Sequence, residues 1–258
     1  MKPIRRMGSG FTKIFISLMI AVLVPRPLAF SQDAEEIIKN ADAKSRGDYA
    51  QEEMQMSIIR RDWTRTVTLK SWSKGTDFAL ILIAAPAKEK GQVFLKRQKD
   101  MWNWVPSIER MIKIPPSMMM QSWMGSDFTN DDLVKESSVV KDYTHTLQGK
   151  ENIDGAECWK IQLIPLPDAP VVWGKILTWI DENYNERKAE YYDEDGTLVN
   201  TMRLSEIKKF SDREIPTHME MIPAGEADKK TIIDILAATF NKPIPESFFS
   251  LQNIKMVR

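Results

Sequence analysis

The sequence predicts a mainly β protein whose strands follow one another in an antiparallel sheet. From Met54 to Ala237 the dominant pattern is an alternation of apolar and polar side chains with a period of two, as on a sheet with one buried face. Turn signals separate the alternating stretches at Lys74-Gly75, Asp154-Gly155 and Asp195-Gly196. Consecutive strands joined by short turns favour an antiparallel meander over parallel βαβ units.

The first 31 residues have the order of a secretory signal peptide. Basic residues, and no acidic ones, precede an apolar run from Ile14 to Val24, and Ala29-Phe30-Ser31 offers small residues for cleavage. The apolar run is shorter than the roughly 20 residues that a membrane-spanning helix needs. We therefore predict a cleaved signal peptide over residues 1–31 and an exported domain over residues 32–258, with an uncleaved membrane anchor as the alternative.

The exported domain begins with a predicted helix and continues with predicted strands. Ala34–Asp48 is predicted as the helix because Ile37, Ile38 and Ala41 share a face and Gly47 stands at the end. The alternation predicts strands at Met54–Ile58, Thr66–Lys70, Phe78–Leu82, Val93–Leu95, Tyr143–Gly149, Ala156–Ile164, Lys175–Asp181, Arg187–Tyr192, Thr197–Phe210, Ile215–Ile222 and Lys230–Ala237. Ile114–Val134 and Pro165–Val172 break the alternation and are predicted as loops or short helices.

The charge balance argues against a nucleic-acid partner. The whole chain has 36 Lys and Arg residues against 36 Asp and Glu residues. Because the predicted signal peptide contains basic residues and no acidic ones, the exported domain would be mildly acidic. Proteins that bind nucleic acid normally show a basic excess or stripe.

The residues that usually carry chemistry are scarce. Cys158 is the one cysteine, so an internal disulfide and a cysteine-based zinc site are excluded. His145 and His218 both lie in alternating strand patterns, which favours a solvated sheet face over a catalytic dyad. No spacing supports a calcium loop or a phosphate-binding loop. We therefore predict no catalytic residue, no metal site and no cofactor, and the protein is not expected to be an enzyme; an unrecognised hydrolase of cell-envelope material is the least favoured alternative.

The most informative segment runs from Trp102 to Leu133. It contains three tryptophans and Met118-Met119-Met120, which provide apolar contact surface without cysteine or histidine. Its blocks, Trp104-Val-Pro-Ser-Ile-Glu-Arg-Met-Ile-Lys-Ile-Pro-Pro-Ser and Trp123-Met-Gly-Ser-Asp-Phe-Thr-Asn-Asp-Asp-Leu, resemble the LolA-like outer-membrane lipoprotein-sorting family. Weaker blocks extend this resemblance over nearly the whole exported domain: Lys175–Asp181 with Lys188–Gly196, Ile215-Pro-Thr-His-Met-Glu-Met, and Thr239-Phe-Asn-Lys-Pro-Ile-Pro-Glu-Ser-Phe-Phe-Ser. The three methionines are where the chain departs from the family pattern.

The resemblance implies a fold and a function. The implied fold is a single curved antiparallel sheet that forms an unclosed β-barrel, with short helices covering its concave face. The implied function is that of a periplasmic carrier, which holds the acyl chains of lipids or lipoproteins in an apolar cavity and delivers them toward the outer membrane. The branch that it resembles is often associated with RND-type exporters, so an inner-membrane exporter is the implied partner. A monomer with transient membrane contact is expected.

Residue type and alternation select candidates for the cavity and its lid, since methionine adapts to chains of varied shape and tryptophan suits a cavity mouth. The candidate lipid-contacting residues are Trp72, Phe78, Leu80, Leu82, Phe94, Trp102, Trp104, Met118, Met119, Met120, Trp123 and Met124. The alternative hypothesis is an accessory or scaffold subunit of an RND-type exporter, which would bind protein rather than lipid through the same segment.

Overall fold

The sheet of this protein consists of two meanders of antiparallel strands. The pairing of the first strand of the chain with the last strand joins the two meanders. The computed structural model describes residues 33–134, 138–226 and 228–257. Residues 32–258 form one compact unit. The predicted signal peptide lies outside the described residues. None of the described helices has the length and apolar character needed to cross a membrane.

Over these described ranges the sheet has 13 strands, and every pairing between neighbouring strands is antiparallel. The strands are β1 (Tyr49–Arg60), β2 (Trp63–Lys74), β3 (Phe78–Ala85), β4 (Val93–Arg97), β5 (Asp100–Val105), β6 (Arg110–Ile114), β7 (Tyr143–Ile153), β8 (Ala156–Pro165), β9 (Lys175–Asp181), β10 (Glu186–Tyr192), β11 (Leu198–Phe210), β12 (Arg213–Pro223) and β13 (Lys230–Phe240). Their order across the sheet is β6-β5-β4-β3-β2-β1-β13-β12-β11-β10-β9-β8-β7. The predicted fold class, an unclosed antiparallel barrel, is confirmed.

In the described part of the chain, two α-helices accompany the sheet: α1 (Ala34–Arg46) and α2 (Asn130–Val134). Asp33 caps the N-terminus of α1 by accepting a hydrogen bond from the backbone N–H of Glu35, and Gly47 ends the helix with a positive φ of 65°, which favours glycine. Ile37 and Ile38 are buried against the sheet, so α1 lies on the concave face, as predicted.

The free edges of the sheet are β6 and β7, which are consecutive in the chain. The chain between them must therefore pass from one edge of the curved sheet to the other. Residues 115–134, here called the crossover segment, lie over the concave face, because Met119, Trp123 and Phe128 are buried in the core cluster that lines this face. The predicted loop at Ile114–Val134 is this segment.

A second cluster of buried side chains lies on the opposite face of β3 and β4. In β3, Ile81 and Ile83 belong to the concave core, whereas Leu80 and Leu82 point the other way. The C-terminal segment, residues 244–257, covers this outer face with Ile244, Phe249 and Ile254, which are all buried. The segment follows β13 and places an apolar layer on what would otherwise be an exposed side of the sheet.

Candidate functional site

A cavity of about 370 Å³ lies between the concave face of the sheet, α1 and α2. Its volume is within the range of roughly 300–1,000 Å³ that is typical of ligand sites. The apolar part of its wall comes mostly from inward-facing strand residues, and includes Met54, Ile81, Leu163, Ile176, Ile180, Met202, Leu204, Ile215, Met219, Met221, Ile233 and Ile235. Branched aliphatic and methionine side chains on one face of a curved sheet therefore form a continuous apolar surface.

The two ends of the cavity differ in polarity. At one end, the last turn of α1 contributes Lys44 and Arg46. Lys44 donates hydrogen bonds to the backbone oxygen of Asn183 at 2.6 Å and to Oδ1 of Asn185 at 2.9 Å, and burial lowers its pKa. Arg46 forms an ion pair with Asp42 at 2.8 Å. The basic residues that line the described cavity are therefore confined to this end.

At the other end, beneath α2, the wall includes Asp132, Tyr143, Trp173 and Tyr191. Asp132 closes a capping box with Thr129: its Oδ2 accepts from the Thr129 N–H at 2.8 Å, and its own N–H donates to Thr129 Oγ1 at 3.1 Å. Asp132 Oδ1 accepts from Trp173 Nε1 at 3.3 Å. Burial raises the pKa values of Asp132, Tyr143 and Tyr191.

A clamp attaches the crossover segment to the middle of the sheet. Arg60, the last residue of β1, donates two parallel hydrogen bonds to the carboxylate of Asp127, at 2.9 and 3.0 Å, and a third to the backbone oxygen of Gly125 at 3.0 Å. The hydroxyl of Thr231 on β13 donates to Asp127 Oδ2 at 2.6 Å and accepts from the Asp127 N–H at 3.0 Å. Arg65 adds a hydrogen bond to the backbone oxygen of Met124. These contacts hold residues 124–127 at the neighbouring strands β2, β1 and β13.

The structure distributes the candidate lipid-contacting residues over several environments. Trp72 and Phe78 line the cavity, while their rings pack on Phe248 and Phe249 of the C-terminal segment at centroid distances of 5.4 and 5.6 Å. Leu80, Leu82, Trp102 and Trp104 do not line the cavity and belong to the cluster on the outer face. Phe94, Met119, Trp123 and Met124 belong to the concave core but also lie outside the cavity wall. Met118 and Met120 are 38% and 61% exposed.

Most of this distribution follows from the face that each residue occupies. Alternation correctly groups Phe78, Leu80 and Leu82 on one face of β3, but an alternating pattern does not reveal which face is concave. The sequence reasoning also missed most of the wall that β9–β13 provide. The shared parity of Met219 and Met221 was the available signal for it.

The histidines lie apart from the cavity and from each other. His145 Nε2 is 2.7 Å from the backbone oxygen of Val139. His218 Nδ1 is 2.7 Å from Oδ1 of Asp234. Burial alone would lower the pKa of His218, but hydrogen bonds with Asp234 and Glu220 outweigh it and raise the pKa. Strands β8–β11 separate the two histidines. Within the described parts of the chain, no group of three or more His, Cys, Asp or Glu side chains is placed to hold a metal ion.

Comparisons with known proteins agree with this fold. A family model described as an uncharacterized protein matches residues 75–256. A DUF1329 family protein from Desulfovibrio piger is similar in structure, with a TM-score of 0.78 and 24% identity over 86% of this chain and 97% of that one. A LolA superfamily protein from Nitrosomonas europaea has a TM-score of 0.75 and 23% identity over 86% of this chain and 99% of its own.

A candidate outer membrane lipoprotein-sorting protein domain from Vibrio parahaemolyticus is also similar, with a TM-score of 0.77 and 23% identity over 86% of this chain and 98% of that one. A search of curated proteins finds no match. The resemblance to LolA-like proteins that the sequence blocks indicated is thus confirmed at the level of the fold. The association with RND-type exporters stays a prediction.

Proposed function

The chain belongs to the family of uncharacterized proteins whose model matches residues 75–256 and has the LolA-like fold, and on this premise we propose that it is a periplasmic carrier of acyl chains. The carrier is not an enzyme: it binds the acyl chains of lipids or lipoproteins stoichiometrically and delivers them toward the outer membrane. It receives its cargo in partnership with an inner-membrane exporter, acts as a monomer and contacts membranes transiently.

The observation that carries this proposal is the apolar cavity beneath α1 and α2. A soluble carrier must keep methylene groups out of water, and each buried CH₂ stabilises the complex by about 0.8 kcal/mol. The wall of strand side chains supplies such burial. Met54, Met202, Met219 and Met221 add flexible side chains that adapt to chains of different shape.

One observation favours the alternative, an accessory or scaffold subunit of an exporter that binds no lipid. Ile108, Ile112, Met118 and Met120 are 56%, 45%, 38% and 61% exposed, and all four belong to edge strand β6, the turn before it and the crossover segment. An edge strand with exposed apolar neighbours is a surface to which another protein can add a strand. The two functions differ in whether the cavity is ever occupied.

Titration of the purified protein with a fluorescent fatty-acyl probe tests the proposal. Saturable binding at a stoichiometry of about one, with displacement by unlabelled lipid, supports the carrier. A probe that does not bind, even after the protein has been delipidated under mild conditions, contradicts the carrier and leaves the scaffold function standing.

The three consecutive methionines are expected to respond differently to substitution by serine. Met119 is 5% exposed and packs in the concave core, so Met119→Ser should lower the free energy of unfolding by about 2–4 kcal/mol. Met118→Ser with Met120→Ser should change it by less than about 0.5 kcal/mol, because both side chains are exposed. Chemical denaturation measures both. Equal losses would show that the exposed pair is as important to the core as Met119.

A further inference from the structure

Among the described residues, two tyrosine hydroxyls at the α2 end of the cavity lack adequate partners. Tyr143, the first residue of β7, is 4% exposed and lines the cavity, yet its hydroxyl forms no hydrogen bond with the described residues. The Tyr191 hydroxyl contacts only the sulfur of Met202 within these residues, at 3.9 Å. A thioether sulfur is a weak acceptor.

Such groups are costly unless something in the cavity satisfies them. A hydroxyl that faces a cavity is satisfied by water or by a ligand that enters the cavity, and a ligand that displaces this water without offering an acceptor loses affinity. The ring of Tyr191 packs on Trp173 at a centroid distance of 5.2 Å, and Tyr143 is fixed in the β7–β8 ladder opposite Pro165. Both tyrosines therefore lie at the cavity wall, where their hydroxyls can donate to a group that enters the cavity.

The charges around these hydroxyls select against an anion. Asp131 is 3% exposed, and both Asp131 and Asp132 line this end of the cavity. The basic side chains of the described wall, Lys44 and Arg46, belong to the other end. A carboxylate or phosphate bound beneath α2 would meet the carboxylate of Asp132 and, among the described residues that line the cavity, no cation at this end, whereas a neutral oxygen would meet tyrosine donors.

We infer that the α2 end of the cavity is a subsite for a neutral, hydrogen-bonding oxygen of the bound lipid, either a hydroxyl on its chain or the carbonyl of an ester. This inference rests on the proposed function and specifies its ligand. The cavity takes an apolar chain along its sheet wall, and Tyr143 and Tyr191 donate hydrogen bonds to the oxygen of that chain. A ligand whose polar group is anionic places that group at the α1 end instead.

Competition among ligands with one chain length tests the subsite. A fatty alcohol, its fatty-acid methyl ester and the fatty-acid anion each displace a fluorescent acyl probe from the purified protein. In the protein that combines Tyr143→Phe and Tyr191→Phe, we expect the affinities of the alcohol and the ester to fall about fivefold, as for the loss of a hydrogen bond in a cavity. The affinity of the anion should stay unchanged. A fall for the alcohol alone would assign the subsite to chain hydroxyls, and a fall for the ester alone would assign it to ester carbonyls.

Tyr192→Phe is the matched control. Tyr192 follows Tyr191 on β10, but it does not line the cavity, and its hydroxyl donates to Glu190 at 2.7 Å. This variant should bind all three ligands like the unmodified protein, and the melting temperature of each variant checks its fold. If the double variant binds the alcohol and the ester as tightly as the unmodified protein does, the subsite inference is wrong while acyl binding stands. If the probe itself does not bind the unmodified protein, both the inference and the proposed function are wrong.

Discussion

Filling the cavity from its sheet wall is expected to weaken acyl binding strongly while preserving the fold. Leu204 on β11 and Met219 on β12 are direct partners in the strand register, and both line the cavity. Both are half-buried, so space remains on the cavity side of each. Leu204→Trp with Met219→Trp would place two indoles in a cavity of about 370 Å³. The affinity for a fatty-acyl probe should fall at least about tenfold, which corresponds to about 1.4 kcal/mol.

Ile164→Trp supplies the control for this prediction, because Ile164 is 38% exposed on β8 and does not line the cavity. It should bind the probe normally. The melting temperature of the double variant should stay close to that of the unmodified protein, since the new side chains enter existing space rather than a filled core. Unchanged probe affinity in a folded double variant would show that acyl chains bind elsewhere.

Breaking the clamp on the crossover segment is expected to have the largest effect on stability. The side chains of Arg60 and Asp127 are 15% and 8% exposed, and their hydrogen bonds are bidentate. Asp127→Ala leaves the Arg60 guanidinium enclosed without its carboxylate and removes the acceptor of the Thr231 hydroxyl. Removal of one partner of a buried ion pair typically costs about 3–5 kcal/mol, and we expect a loss of that size in the free energy of unfolding.

An exposed ion pair gives the comparison. Lys113 and Asp100 are 2.7 Å apart, with side chains 59% and 49% exposed, so Asp100→Ala should cost less than about 1 kcal/mol. Adding Arg60→Met to Asp127→Ala should recover part of the loss, because it removes the unpaired charge. Denaturant titration measures all three variants. If Asp127→Ala and Asp100→Ala lower the free energy of unfolding by similarly small amounts, solvent screens the Arg60–Asp127 ion pair as it screens the exposed pair.

The sequence predicted the local elements well because their signals are local. Alternation marked the strands from β7 to β13 within a few residues of their observed bounds, and Gly47 marked the end of α1. Strands β5 and β6 were missed, because Trp102, Trp104 and Met111 put large apolar residues on the outer face and so blur the alternation. That face is apolar because the C-terminal segment covers it, which no local pattern reveals.

The candidate site was less predictable because it depends on long-range pairing. The β1–β13 pairing joins the two ends of the domain and makes β6 and β7 the free edges of the sheet. Only this pairing determines that the crossover segment spans the concave face. The same pairing decides which face of β3 is concave, and therefore why Ile81 lines the cavity and Leu80 does not. The segment from Trp102 to Leu133, with its three tryptophans, was conspicuous in the sequence. In the structure it covers the core more than it lines the cavity.

Native mass spectrometry of the protein purified from cells, followed by lipid extraction and identification, tests the carrier function most directly. The carrier predicts a bound population whose added mass matches one acyl-containing lipid, and a return to the unliganded mass after delipidation. The cavity-filled variant with Leu204→Trp and Met219→Trp should show no such population. A protein that purifies without lipid and cannot be loaded with any acyl-containing ligand would contradict the proposed function.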